Sequence, residues 1–75
     1  MEKKLSEMSF DEKGIVKEIP NDLKKQISGM GIIKGKEVRM TTQQPIKGPV
    51  VVEVGRNNTS LGFNLADKII VEIEK

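Results

Sequence analysis

Two hydrophobic periods alternate along this chain. In "GIVKEI", residues 14–19, apolar and β-branched residues dominate and the turn signal Pro20-Asn21-Asp22 follows, which predicts a strand. From Leu23 the apolar positions become Leu23, Ile27 and Met30, with Lys24, Lys25 and Gln26 on the opposite side, so a short amphipathic helix is predicted. Asn21 or Asp22 is placed to cap it. Period two then returns in "KEVRMTT", where Val38, Met40 and Thr42 alternate with Glu37, Arg39 and Thr41. After the turn-rich "QQPIKGP", the run "VVVEV" at residues 50–54 reads as a strand that ends in a hairpin loop, "GRNN", residues 55–58. "TSLGF" resumes the sheet, with Leu61, Phe63 and Leu65 alternating. A turn at "LADK" leads into "IIVEIE", which sets Ile69, Val71 and Ile73 on one face and Glu72 and Glu74 on the other.

Three glycines crowd "SGMGIIKGKEV". Gly31 suits the position just beyond the helix, where left-handed backbone ends it. Gly35, between Lys34 and Lys36, turns the chain into the next strand. Gly29 lies inside the helical pattern, where glycine costs about 1 kcal/mol relative to alanine, which predicts that a strand packs closely against it. About five strands and one short helix emerge, a mainly β fold. So many short strands bury their apolar face best by curling into a small, partly open barrel with the helix plugging an end.

The chain of 75 residues holds one domain with a small core, spanning residues 1–75 with mobile ends at residues 1–4 and 75. Mobility of the N-terminal end is expected to reach residue 9. Thirteen Lys and Arg face eleven Asp and Glu, giving a net charge of +2, and the signs are interspersed throughout. That describes a solvated surface more than a polyanion-binding stripe. With no Cys and no His, zinc-finger and iron–sulfur sites are excluded, and any metal would have to sit on carboxylates. No apolar leader or span is present, so a soluble cytoplasmic protein without membrane insertion is expected.

Catalysis lacks parts. There is no His, Cys or Tyr, the serines have no candidate base, and the carboxylate pairs Asp11/Glu12 and Glu72/Glu74 read as surface charges. The expectation is therefore no enzyme, no catalytic or metal residue and no cofactor. "GMGIIKG" follows a helix, whereas phosphate-binding glycine loops precede one, so capping explains it. "NNTS" matches a glycosylation acceptor twice over but reads as a turn. Small barrels that bind nucleic acid stack bases on aromatic side chains, and only Phe10 and Phe63 are available, with Phe63 in register with core leucines. Nucleic acid is accordingly not expected as a partner. What remains is a binding or regulatory module whose contacts lie on its loops. In "QQPIKGP", Ile46 sits between Pro45 and Pro49, a stiffness that lowers the cost of ordering on binding, although both prolines also serve simply to shape a hairpin. Open sheet edges leave room for weak self-association.

The order of these motifs resembles that of the ferrous iron transport protein A (FeoA) family. "LKKQISGMGIIKGKEVRM", then "QPIKGPVVVEV", then "TSLGFNLADKIIVEI" carry the likeness, from about Leu5 to Ile73. Within it, Met30-Gly31, Ile32-Ile33 and Lys34-Gly35 match the family's helix end and turn, with Lys34 where Pro is frequent. Pro45, Ile46, Gly48 and Pro49 match its Pro-apolar-Gly-x-Pro loop, except that Gly48 abuts Pro49. Leu61, Ala66, Ile69 and Val71 match its close. The resemblance implies an SH3-like β-barrel in which Gly31, Gly35 and Gly48 are structural turns. It further implies an accessory role in bacterial ferrous iron uptake through contact with the cytoplasmic part of the transporter FeoB. The connection to transition metals is at the level of the family, which supplies no catalytic or metal residue to carry over. The contacts suggested are Lys24 and Lys25 on the helix and Pro45, Ile46 and Lys47 in the loop. The same module closes iron-dependent repressors, so an alternative is a regulatory module that binds a metal-dependent transcriptional repressor. A small-barrel nucleic-acid binder is the remaining alternative.

Overall fold

Alternating apolar residues on several strands need one shared interior, and in so short a chain the sheet itself must supply it. The computed structural model describes residues 1–42 and 48–74. In chain order it consists of β1 (Glu2–Lys4), a 3-10 turn (Leu5–Glu7), β2 (Lys13–Glu18), α1 (Lys24–Ser28), β3 (Glu37–Thr42), β4 (Val50–Val54), β5 (Asn57–Leu61), α2 (Phe63–Ala66) and β6 (Ile70–Ile73). The strands form one antiparallel sheet in the order β1-β6-β2-β3-β4-β5. Register shifts interrupt the β2–β6 ladder between Val16 and Glu18 and the β3–β4 ladder between Met40 and Thr42. Such irregularities bend strands. The principal extents of 27 × 26 × 23 Å are those of a sheet wrapped onto its own apolar face.

That face holds Val16, Val38, Met40, Val52, Leu61 and Val71, all essentially inaccessible to water, and Ile27 of α1 and Ala66 of α2 close over it. Leu23 and Met30 flank Ile27 as partly buried neighbours, so the predicted helical stripe is the one that packs. Val50, Val52 and Val54 are buried while Val51 and Glu53 between them are only partly so, as alternation requires.

Several expectations change. Six strands form where about five were expected, because β1 is the wholly polar "EKK" and has no apolar face to betray it. Its backbone pairs with β6 through Glu2↔Glu72, Lys3↔Val71 and Lys4↔Ile70, so residues 2–4, expected to be a mobile end, are an edge strand. Leu5 and Met8 are fully buried, anchoring the segment that follows. Residue 75 lies outside the described residues. The hairpin loop "GRNN" shortens to Gly55 and Arg56, since Val54↔Asn57 already pair. Gly55 has φ 64 and Arg56 does not share the positive φ, the pattern of a type II′ turn.

A second helix, α2, replaces the strand predicted through Phe63 and Leu65. Leu61 ends β5, Gly62 redirects the chain, and one helical turn buries Ala66, with Ile69 buried just beyond it. Alternation across Leu61, Phe63 and Leu65 was thus a coincidence of two elements. Helix α1 has Leu23 at its N-cap with no side-chain cap, so neither Asn21 nor Asp22 serves. Instead the Leu23 N–H donates to the Pro20 carbonyl at 3.0 Å, and a backbone turn does the work of a cap.

Gly29 also departs from expectation. It is exposed at the end of α1, and an added Cβ would meet only carbonyls of its own helix, Gln26 O at 3.4 Å being the nearest. The close approach belongs to Gly14 on β2, where a Cβ would come within 2.9 Å of the Glu72 carbonyl oxygen on β6. Gly14→Ala is therefore expected to destabilise the fold by about 1–3 kcal/mol, because backbone rather than a flexible side chain must give way. Gly29→Ala, at φ −62 and ψ −18, is expected to be neutral or to stabilise by up to about 1 kcal/mol. Urea unfolding of the two variants checks both signs.

Candidate functional site

The corner between α1 and β3 organises the surface around it. Gly31 and Gly35 have φ of 85 and 91, as expected of turn glycines, and nothing lies within 4 Å of a Cβ at either. Backbone strain, not crowding, selects glycine at both. The corner is pinned to β2, with the Gly35 N–H donating to the Val16 carbonyl at 2.8 Å and the Val16 N–H to the Lys36 carbonyl at 2.9 Å. The Thr59 hydroxyl of β5 donates to the Met30 carbonyl at 3.2 Å and ties the helix end to the opposite sheet edge. Pinned this way, adjacent Ile32 and Ile33 cannot both face inward. Ile32 is fully buried and Ile33 is 48% exposed.

Two adjoining hollows of about 300 Å³ and about 320 Å³ share Ile19, Lys24 and Lys34. The first runs from there to Lys68 and Ile70, and the second to Ile32 and Ile33. Of the suggested contacts, Lys24 therefore lines a recess. Lys25 is exposed on α1 beside it without lining either hollow. Pro45, Ile46 and Lys47 lie outside the described residues, while Gly48 is half-buried ahead of β4. Lys34, Lys68, Ile19 and Ile33 were missed from sequence. The signal available was the Ile32-Ile33 pair next to a glycine corner, where one side chain had to emerge.

Charges are divided unevenly over the molecule. Lys3 bonds Glu12 at 3.2 Å, Lys17 reaches Glu2 at 2.8 Å and Glu72 at 3.5 Å, and Lys4 lies 3.7 Å from Asp67. Arg39 bridges Glu53 at 3.0 Å and also pairs with Asp11. Asp11 is the only non-glycine with positive φ among the described residues, and its N–H donates to the Met40 carbonyl at 2.7 Å. Lys24, Lys25, Lys34 and Lys68 make no ion pair among the described residues, and neither do Lys13, Lys36 and Arg56.

The pKa shifts mark the paired side. The carboxyl of Glu12 is held below its ordinary value by the Ser9 N–H and, more weakly, by Lys3, against the opposing effect of burial. The Arg39 guanidinium is raised by its hydrogen bonds to Glu53 and Asp11, and the Lys17 ammonium by Glu2 and then Glu72. Glu72 is lowered chiefly by the N-terminal amine. Glu74 is raised because it shares a hydrogen bond with the Glu37 carboxyl. Among the described residues no group of three or more Asp and Glu is placed to hold a metal ion, and no helix is long and apolar enough to cross a membrane.

A small antiparallel sheet with a glycine corner between helix and third strand matches a known family over almost its whole length. The model of the FeoA domain covers residues 3–73. The chain belongs to the FeoA domain family. A crystal structure of an iron uptake regulatory protein, FeoA, is 30% identical, with a TM-score of 0.89 and 99% of each chain covered. FeoA of Stenotrophomonas maltophilia, solved with zinc and described as a procaryotic SH3 domain protein, is 28% identical, with a TM-score of 0.75, 91% of this chain and 87% of that one. A manganese-dependent transcriptional repressor shares the fold at 18% identity and a TM-score of 0.87, 97% of this chain covering 42% of that one. No curated protein matches by sequence. The expected SH3-like fold is thus established. FeoA membership links the chain to ferrous iron transport, in a family of small accessory domains not known as enzymes.

Glu12 offers a test of the paired side. Its folded pKa is depressed, so its contribution is present above the unfolded value of about 4.3 and is lost as pH falls through the folded value. Glu12→Gln should melt below the wild type at pH 7, and the gap between the two should narrow as pH falls through the depressed folded value and the carboxyl takes up its proton. A gap that stays constant over this range would show that charge has no part in it.

Proposed function

We propose that this FeoA domain regulates bacterial ferrous iron uptake from the cytoplasm by binding the cytoplasmic part of the transporter FeoB. The observation that carries the reading is the family match across residues 3–73, joined to 30% identity over 99% of an iron uptake regulatory protein. The chemistry is consistent with contact rather than catalysis. The structure sets lysines that have no ion pair among the described residues beside recessed isoleucines, whereas Lys3, Lys4, Lys17 and Arg39 each face a carboxylate. Lys24 and Lys25 on α1 are the proposed helical contacts, with Pro45, Ile46 and Lys47, which lie outside the described residues, as the second set. The likeness to the manganese-dependent repressor, at 18% identity, speaks for the fold alone.

Calorimetric titration of this protein into the purified cytoplasmic GTPase domain of the ferrous iron transporter from the same genome tests the reading. The expected result is saturable one-to-one binding, weakened several-fold by Lys24→Glu with Lys25→Glu, since reversing exposed charges removes modest attractions of up to about 1 kcal/mol each. Absence of both heat and co-elution would reject this domain of the transporter as the partner.

A further inference from the structure

We propose that the hollow between α1, the glycine corner and the β2–β6 end of the sheet docks an acidic protein segment that inserts an aliphatic side chain between Lys24, Lys34 and Lys68. This rests on the reading of the domain as a protein-contact module and names the surface and the chemistry it selects.

Three separate elements bring the lysines together. Lys24 begins α1, Lys34 sits in the corner before Gly35, and Lys68 lies in the connection from α2 to β6. All three line one recess, and none has an ion-pair partner among the described residues. Lys13, Lys36 and Arg56 also make no ion pair among the described residues, but the hollow that Lys13 and Lys36 line carries two carboxylates, Glu37 and Glu53, so what marks the three recess lysines is their convergence where acid is scarce. Lys3, Lys4, Lys17 and Arg39 each face at least one carboxylate within the same chain. Among the described residues Glu18 is the only carboxylate lining the recess, one negative charge against three positive. The local field thus favours an anionic guest, and the guest's carboxylates would supply the partners these lysines lack.

The floor decides what kind of anion. Ile19 and Ile32 are buried, Ile70 is half-buried, and only Ile33 stands out, so the apolar surface is concave. A concave apolar floor under a cationic rim accepts a projecting aliphatic side chain flanked by acids. A lipid surface calls for apolar side chains that protrude, and single-stranded nucleic acid calls for aromatic platforms, of which the recess has none. The chain's two phenylalanines are elsewhere, Phe10 before β2 and Phe63 on α2.

The probe is a capped hexapeptide, Glu-Leu-Glu-Glu-Leu-Glu, titrated into the isotopically labelled full chain and followed by amide chemical shifts. Expected are shifts confined to the neighbourhood of Ile19, Lys24, Ile33, Lys34, Lys68 and Ile70, and weaker binding at higher salt. The Gln-for-Glu peptide should bind less well. Lys24→Glu with Lys34→Glu and Lys68→Glu should lower affinity on the order of 10- to 100-fold, while Arg56→Glu on the β4–β5 turn should leave it unchanged. Ile33→Asp, at an exposed position that the core does not need, should weaken binding without unfolding the protein. Shifts centred elsewhere, or a triple variant that binds as wild type does, would overturn the proposal. So would lysine-dependent binding to phosphatidylglycerol vesicles or to an oligonucleotide with no response to the peptide. Transporter binding that survives the triple variant would overturn the recess while sparing the transporter reading. Peptide binding at the recess without transporter binding would support the recess and reject that partner.

Discussion

A single apolar face with nothing but its own sheet and two short helices to pack against governs this molecule. A larger domain would lay a second layer over such a sheet. Here the sheet bends at the irregularities in β2–β6 and β3–β4 and wraps around its own apolar face, so that residues from every strand but β1 reach one core. β1 serves differently, satisfying the outer edge of β6 by backbone pairing while Leu5 and Met8 beyond it drop into the interior. The tight wrap explains the glycine at position 14. Where β2 lies against β6, the Glu72 carbonyl stands too near to admit even a methyl group.

The same wrap sorts the charges. Strands that come together across the outside of the sheet carry complementary residues, and Lys17 consequently finds both Glu2 and Glu72 while Arg39 finds Glu53 and Asp11. Each exposed pair is worth little. At the α1 end the corner from Gly31 to Gly35 holds Lys34 toward Lys24, the chain's return through Lys68 adds a third cation, and among the described residues only Glu18 lines the recess with them as an acid.

Much of the fold was legible because period and punctuation agreed. β2, β3, β4 and β6 each display alternation bounded by turn residues, and α1 displays the Leu23, Ile27, Met30 stripe ended near Gly31. What escaped had no periodic signal or a false one. β1 is polar because it is an edge strand held by its backbone, and α2 is a single turn whose residues mimic alternation. Gly29 and Gly14 exchanged their expected roles, since no local pattern reveals which backbone comes near which glycine. Of the candidate contacts, Lys24 was found from its place on the polar side of the helix, whereas Lys34 and Lys68 are ordinary lysines until the fold sets them around one recess.

By itself the sequence determined the class of the protein, one small mainly β domain, without cysteine or histidine, whose motif order is that of FeoA. It did so because hydrophobic period, turn glycines and residue chemistry are local properties, read within a few positions. The tertiary structure alone decided which strand lies at the edge, where two backbones touch, and which cations share one recess. Those are relations between residues as distant as Gly14 and Glu72 or Lys24 and Lys68, and they arise only when a wrapped sheet brings remote segments to the same place.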